Sequence, residues 1–294
     1  AICEAGKEKK SPVMLEFSQG EVGYFGLKNI IDLVANAREE LEIPILLNLD
    51  HAKKVEDCVA AISVGGPSTH SINSGSSTHD VRSGSTIPSE STSFDDVHFD
   101  GSDLPYDKNV EETKKVVEAA HSTSLKELRG ASVLVEGEID KVSGSSEVHG
   151  QDLDLETLKK SYTDLDKAAK FVQETGVDIF AAVVGNVHGT FPTQPPLDFE
   201  LLKKIREVLP DTFLSMHGGS GIGADQVKEA IRVGQIVKIN VNTELRVAFK
   251  DALGEELSEN PDQSAYYKLT PDIVEAVMAV VEGKIDVFGS GGKA

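Results

Sequence analysis

Residues Phe213 to Gly221 read "FLSMHGGSG". An apolar, β-prone run ends on a histidine and passes at once into two glycines, a serine and a third glycine. The next stretch, "ADQVKEAIRVG" (224–234), repeats apolar residues at helical spacing. A strand, a glycine turn and a helix in that order make one βα unit. The turn sets a side-chain metal ligand beside bare backbone N–H groups at a helix start, where anions are favoured.

The same rhythm recurs along the chain. Apolar, β-branched runs appear as "PVMLEF" (12–17), "IPILLNLD" (43–50), "DDVHFD" (95–100), "SVLVEGEI" (132–139), "DIFAAVVGN" (178–186), "TFLSMH" (212–217) and "IVKINVN" (236–242). Between them lie "VEETKKVVEAAH", "DKAAKFVQETG" and "FELLKKIREVLP", apolar at helical spacing and closed in part by Gly or Pro. Such alternation predicts a parallel sheet covered by helices. Seven strands are visible where a closed barrel needs eight. The opening "AICEAGKEKKSPV" reads as the end of a helix whose preceding strand is absent. The expected fold is therefore α/β, a single (β/α)8 TIM-barrel domain over 1–294 lacking strand one. Residues 67–93, rich in Ser, Thr and Gly without apolar period, read as a flexible insertion, with His70 and His79 solvated.

With 29 Lys and Arg against 49 Asp and Glu, the formal charge is -20, which disfavours nucleic acid or an anionic membrane as partner. Cys3 and Cys58 form no disulfide framework and favour a reducing, cytoplasmic setting. The longest apolar runs, such as "IFAAVVG", fall far short of the ~20 residues of a bilayer span, and the N-terminus has no signal-peptide pattern.

Three histidines, His51, His188 and His217, each sit at or just past the C-terminal end of a predicted strand. In a barrel those ends converge on one mouth. Three imidazoles with an open fourth position suit a catalytic zinc ion. Asp50, Asp100, Glu136 and Glu138 add carboxylates, the last two on one face of their strand. That face has to be wet, basic or metal-bound; for Glu136 the alternative is a salt bridge to Lys238. His98 shares the face of Asp100, within reach of the metal site, and reads as a packing or hydrogen-bonding partner. The loops "HGGSGI" and "NVNTE" lie after strands seven and eight, a common phosphate position in barrels.

The segments "LDH" (49–51), "FDGSDLPYDKNVEETKKVVEAAH" (99–121), "GNVHGTF" (185–191), "HGGSGI" (217–222) and "KINVNTELR" (238–246) resemble the class II, metal-dependent fructose-bisphosphate aldolases, together with the tagatose-bisphosphate enzymes. The resemblance implies Zn2+ on His51, His188 and His217, with Glu138 able to contact the metal and Asp100 near a second cation position. It implies Asp50 as general base. Gly189, Gly218, Ser220, Asn240, Asn242 and Thr243 would hold the phosphate and polar groups of the dihydroxyacetone half, with a monovalent cation, Na+ or K+, near Gly189 and Gly218. Ser18 would help to hold the other phosphate. A ketose bisphosphate substrate and a homodimer or larger homo-oligomer are implied as well. Two positions depart from the family pattern. Where the family supplies an arginine near the C-terminus this chain has "SAYYKL" (264–269), leaving Ser18, Lys53 or Lys54 to compensate. The loop with the family's proton-donating acids reads "KVSGSSEVHG", with Glu147 the nearest acid. A mechanistic rival makes Lys238 a Schiff-base nucleophile, and a rival of another class is a non-catalytic barrel that binds sugar phosphates.

Overall fold

The computed structural model describes residues 1–63, 93–122 and 132–294. The strands are β1 (Val13–Ser18), β2 (Ile45–Ala52), β3 (Asp96–Phe99), β4 (Leu134–Gly137), β5 (Gly144–Val148), β6 (Ile179–Ala181), β7 (His188–Thr190), β8 (Phe213–Met216) and β9 (Ile236–Ile239). The helices are α1 (Ile2–Lys9), α2 (Gln19–Phe25), α3 (Leu27–Leu41), α4 (Val55–Ser63), α5 (Tyr106–Ala120), α6 (Leu155–Lys159), α7 (Leu165–Thr175), α8 (Phe199–Val208), α9 (Ala224–Gly234), α10 (Thr243–Glu259) and α11 (Tyr266–Phe288). The expected insertion at 67–93, with His70 and His79, lies outside the described residues except for Ser93, which is buried. No helix among the described residues is long and apolar enough to cross a membrane.

All seven predicted strands pair in parallel in one sheet, in the order β1-β2-β3-β4-β6-β8-β9. The sheet curls, yet it does not close as the barrel expectation required. Among the described residues β1 and β9 are its two edges, with no strand hydrogen-bonded between them. A second correction concerns "DIFAAVVGN", whose regular strand stops at Ala181. Gly185 at φ 109 turns the chain. The Asn186 side chain holds that turn, accepting from Val184 N at 2.8 Å and donating to the Ala182 and His217 carbonyls at 3.2 and 3.1 Å. The chain then re-enters as β7, which pairs with β5 in a separate two-stranded sheet.

The helices form where apolar spacing and capping agree. Asp164 and Asp198 accept from Lys167 N and Leu201 N at the starts of α7 and α8, and Gly176 in the left-handed region ends α7. Their inner faces bury Phe171, Leu202 and Ile205 against the sheet, where Phe171 meets Phe180 at 6.3 Å between ring centroids. Each such side chain contributes roughly 1.5–3 kcal/mol through burial.

Inside the curl the packing is charged. The Lys238 ammonium on β9 lies 2.5 Å from Glu136 Oε2 on β4, 3.3 Å from Asp96 Oδ2 on β3 and 3.4 Å from Glu16 Oε1 on β1. Contact between β9 and β1 shows that the two edges face each other across the seam. Burial pushes the Glu16 carboxyl up from 4.5 to about 8, with Lys238 opposing and the Asp50 and Glu136 charges adding. Burial likewise raises Asp96 to about 7. An acid whose folded pKa exceeds its unfolded one binds protons more tightly when folded, so its contribution to stability declines as pH rises between the two values. For Glu16 that window runs from 4.5 to about 8. Urea midpoints are expected to fall across it, and Glu16→Gln is expected to flatten the fall; an unaltered slope in the variant would refute this account.

Candidate active site

Asp50 and His51 are adjacent on β2, and in a regular strand they would point to opposite faces. The chain avoids this with a bulge. The β2–β3 register shifts between Leu49 and Ala52, and His51 takes φ 50, in the left-handed region. Both residues then line one cavity of about 940 Å³. His98 on β3 supports the bulge, its Nδ1 lying 3.3 Å from His51 N and 3.5 Å from Asp50 Oδ1.

The His51 ring connects two sides of the site. Its Nδ1 is 2.8 Å from Asp100 Oδ2, and its Nε2 is 2.9 Å from His217 Nδ1. His217, buried at the end of β8, turns its Nε2 to Glu136 Oε1 at 2.9 Å. Glu136 also accepts from Ser215 Oγ and Lys238. The salt-bridge alternative for Glu136 therefore holds, and the same carboxylate orients His217. His188 begins β7, with its ring 5.2 Å from that of His51 and 6.1 Å from that of His217. It lines the same cavity but stands outside the tightest group of ligand atoms, which comprises Asp50, His51, His98 and His217. A second group joins His51, Asp100 and Glu138.

Charge is divided unevenly here. Burial opposes ionisation of Asp50, but the His98 hydrogen bond and the His51 and His217 rings outweigh it and lower its pKa. Asp100 is lowered in the same way by His51, Glu138 and Lys53, against burial. Glu138 is pushed well up, first by burial and then by Asp100. Burial and neighbouring imidazoles lower His98 to about 4 and His188 to about 3, favouring neutral rings with free lone pairs. The sequence reading gave His98 a packing or hydrogen-bonding role, whereas the structure sets it within the group of ligand atoms. The available signal was its spacing, two residues before Asp100 on the same strand face; its pairing with Glu136 across β3 and β4 is what the structure adds.

The glycine loops meet beside this cluster. Ser220 Oγ accepts from Asn242 N at 3.3 Å and Glu244 N at 3.4 Å, tying the loop after β8 to the start of α10. Gly218 has φ 65, and a Cβ there would strike the Val187 carbonyl, so only glycine fits. Gly189, Gly218, Ser220, Asn240, Asn242 and Thr243 all line the cavity. Asn240 Nδ2 donates to Asp50 Oδ1 at 3.2 Å. Ser18 also lines the cavity, but its hydroxyl donates to Glu21 Oε2 at 2.8 Å in a capping box at the start of α2. Glu147 is exposed on β5 and is not brought to the cluster; its neighbour Ser146 faces the cavity instead.

The donor set fits a divalent metal. Two imidazole nitrogens face each other at 2.9 Å, and His98 Nε2 and Glu138 Oε2 are buried without hydrogen-bond partners, an arrangement that an ion could satisfy. His51 and His217 would hold it with His188, and Asp100 and Glu138 stand near. Glu136→Gln is expected to weaken Zn2+ binding by roughly 10–100-fold, since the carboxylate behind a ligating imidazole sets its orientation and basicity. Competition with a chromophoric chelator measures this, and unchanged affinity would remove Glu136 from that role.

Comparison with known proteins agrees with this geometry. The family profile described as "Fructose-bisphosphate aldolase class-II" matches residues 1–293. A fructose-bisphosphate aldolase of Geobacillus stearothermophilus is 35% identical over 297 residues, covering 100% of this chain and 88% of that protein. A 6-phospho-5-dehydro-2-deoxy-D-gluconate aldolase of Bacillus licheniformis is 35% identical over 302 residues, covering 100% and 86%. Among solved structures, the YdjI aldolase from Escherichia coli K12 superposes with a TM-score of 0.72 at 28% identity, covering 100% of this chain and 88% of that one. With its strand-end histidines, glycine loops and full-length match taken together, the chain belongs to the class II fructose-bisphosphate aldolase family.

Proposed function

We propose that this chain catalyses the reversible, metal-dependent aldol cleavage of fructose 1,6-bisphosphate to dihydroxyacetone phosphate and glyceraldehyde 3-phosphate, on a single (β/α)8-class domain. The observation that carries the reading is the place of Asp50, its carboxylate beside the His51, His98 and His217 cluster and bonded by Asn240, in a cavity that also holds the Ser220 and Thr243 loops. Tagatose 1,6-bisphosphate, the C4 epimer, is the nearest competitor as substrate.

A divalent ion such as Zn2+ on His51, His188 and His217 would supply the electrophile that stabilises the enediolate left when the C3–C4 bond breaks. Asp50 takes the proton of the C4 hydroxyl, and Asn240 keeps the receiving oxygen aimed. Gly218, Ser220 and Thr243 hold the phosphate of the dihydroxyacetone half at the start of α10, where backbone N–H groups favour an anion. Lys238 does not suit Schiff-base chemistry. Burial opposes its charge, yet Glu136, Asp96 and Glu16 raise its pKa well above the ordinary lysine value, so the nucleophilic free amine is scarce.

Cleavage of fructose 1,6-bisphosphate is expected to vanish with chelator and return with Zn2+. Asp50→Asn is expected to lower kcat by about 10²–10⁴-fold while substrate binding persists. Turnover that survives chelation, with borohydride trapping substrate on the chain, would overturn the metal reading in favour of Lys238.

A further inference from the structure

The cavity is rich in acids. Asp50, Asp100, Glu138 and Glu21 all line it, so a substrate with a second anionic group needs local cations to be held there. Of the lysines that line the cavity, Lys238 is taken up by three carboxylates, and Lys284 pairs with Glu244 at 2.6 Å beside the glycine loops. Lys293 lies toward the opposite end of the sheet, where Ala294 N and Gly292 N bond the carbonyls of Lys10 and Lys9 ahead of β1. Lys53 and Lys141 remain, Lys53 with a further contact of 2.7 Å to the buried Asp100 Oδ2 that leaves its exposed side turned to solvent. They follow the C-terminal ends of β2 and β4, whereas the glycine loops follow β8 and β9, and the contact between His51 and His217 lies between the two sides.

These two lysines converge on one exposed carboxylate. Lys53 Nζ is 3.0 Å from Asp103 Oδ2, and Lys141 Nζ is 2.8 Å from Asp103 Oδ1. The side chains are 41%, 68% and 54% exposed for Lys53, Lys141 and Asp103. Exposed ion pairs of this kind hold weakly, so a phosphate carrying close to two negative charges can displace the single carboxylate. We propose that Lys53 and Lys141 form the subsite for the distal phosphate of the ketose substrate, and that Asp103 occupies this subsite as an internal competitor until substrate enters. The proposal rests on the aldolase reading for the identity of the substrate. It draws the second phosphate away from Ser18, whose hydroxyl is committed to the Glu21 carboxylate, and from Lys54, which does not line the cavity.

The test is a ratio. For native protein, Lys141→Met and Asp103→Asn, kcat/KM is measured with fructose 1,6-bisphosphate and with fructose 1-phosphate. The bisphosphate preference should fall roughly tenfold in Lys141→Met, the size of one lost charge-assisted hydrogen bond. In Asp103→Asn it should rise, a direction that general damage to the fold does not produce. An unchanged ratio in Lys141→Met, or a reduced one in Asp103→Asn, overturns the proposal. Calorimetric binding of 1,6-hexanediol bisphosphate and of hexyl phosphate to the same three proteins separates the subsite from the chemistry. If native protein cleaves neither sugar, the aldolase reading fails while this binding ratio still judges the lysines. A bisphosphate advantage that is absent from native protein, or that survives in Lys141→Met, rejects the lysine subsite.

Discussion

The ion cluster around Lys238 is the constraint on which the rest of the interior depends. A buried ammonium is costly unless it is closely paired, and removing one member of such a group leaves an uncompensated charge at a cost of about 3–5 kcal/mol. Here the partners come from β1, β3 and β4, so one side chain on β9 draws together four strands and spans the two sheet edges that no backbone ladder joins among the described residues. The same cluster reaches the chemistry. Glu136, held by Lys238 and Ser215, holds His217, and His217 faces His51. The floor of the sheet and the candidate metal ligands are thus one hydrogen-bonded unit.

Above that floor, local backbone strain places the reactive groups. A non-glycine residue in the left-handed region persists only where its surroundings over-determine it, at a cost of about 1–3 kcal/mol. His51 meets that condition. Its backbone N–H points to His98, its ring lies between Asp100 and His217, and the bulge that creates the strain is what allows Asp50 and His51 to share one cavity. Cluster and bulge explain each other: the carboxylates and imidazoles hold His51 in its unusual conformation, and that conformation brings them together.

The proposed reading gives the cavity two kinds of anion-binding chemistry. Beside β8 and β9, glycine turns and the start of α10 offer backbone N–H groups and hydroxyls set by the fold. Beside β2 and β4, long exposed lysines share a weakly held acid. The first is rigid and suits the constant half of a ketose phosphate. In the second, Lys141 and Asp103 can be altered without touching the candidate metal ligands, whereas Lys53 also meets Asp100 at 2.7 Å. Relatives that share this family while differing in the substrate named for them fit such a division.

The amino-acid sequence by itself determined the alternation of strands and helices, the positions of His51 and His217 at the ends of β2 and β8, and the glycine loops, because each is local: a period, a turn or a strand terminus written within about ten residues; His188 instead opens β7. The sequence also carried enough information to set Glu136 against Lys238. The tertiary structure alone decided the rest. The early end of β6 follows from Asn186 reaching the His217 carbonyl 31 residues away. The entry of His98 into the cluster depends on register with β4, and the exposed position of Glu147 on the pairing of β5 with β7. The convergence of Lys53 and Lys141 on Asp103 needs three loops at once. Each of these is a contact between distant segments, and periodicity along a chain carries no information about which distant residue will stand opposite.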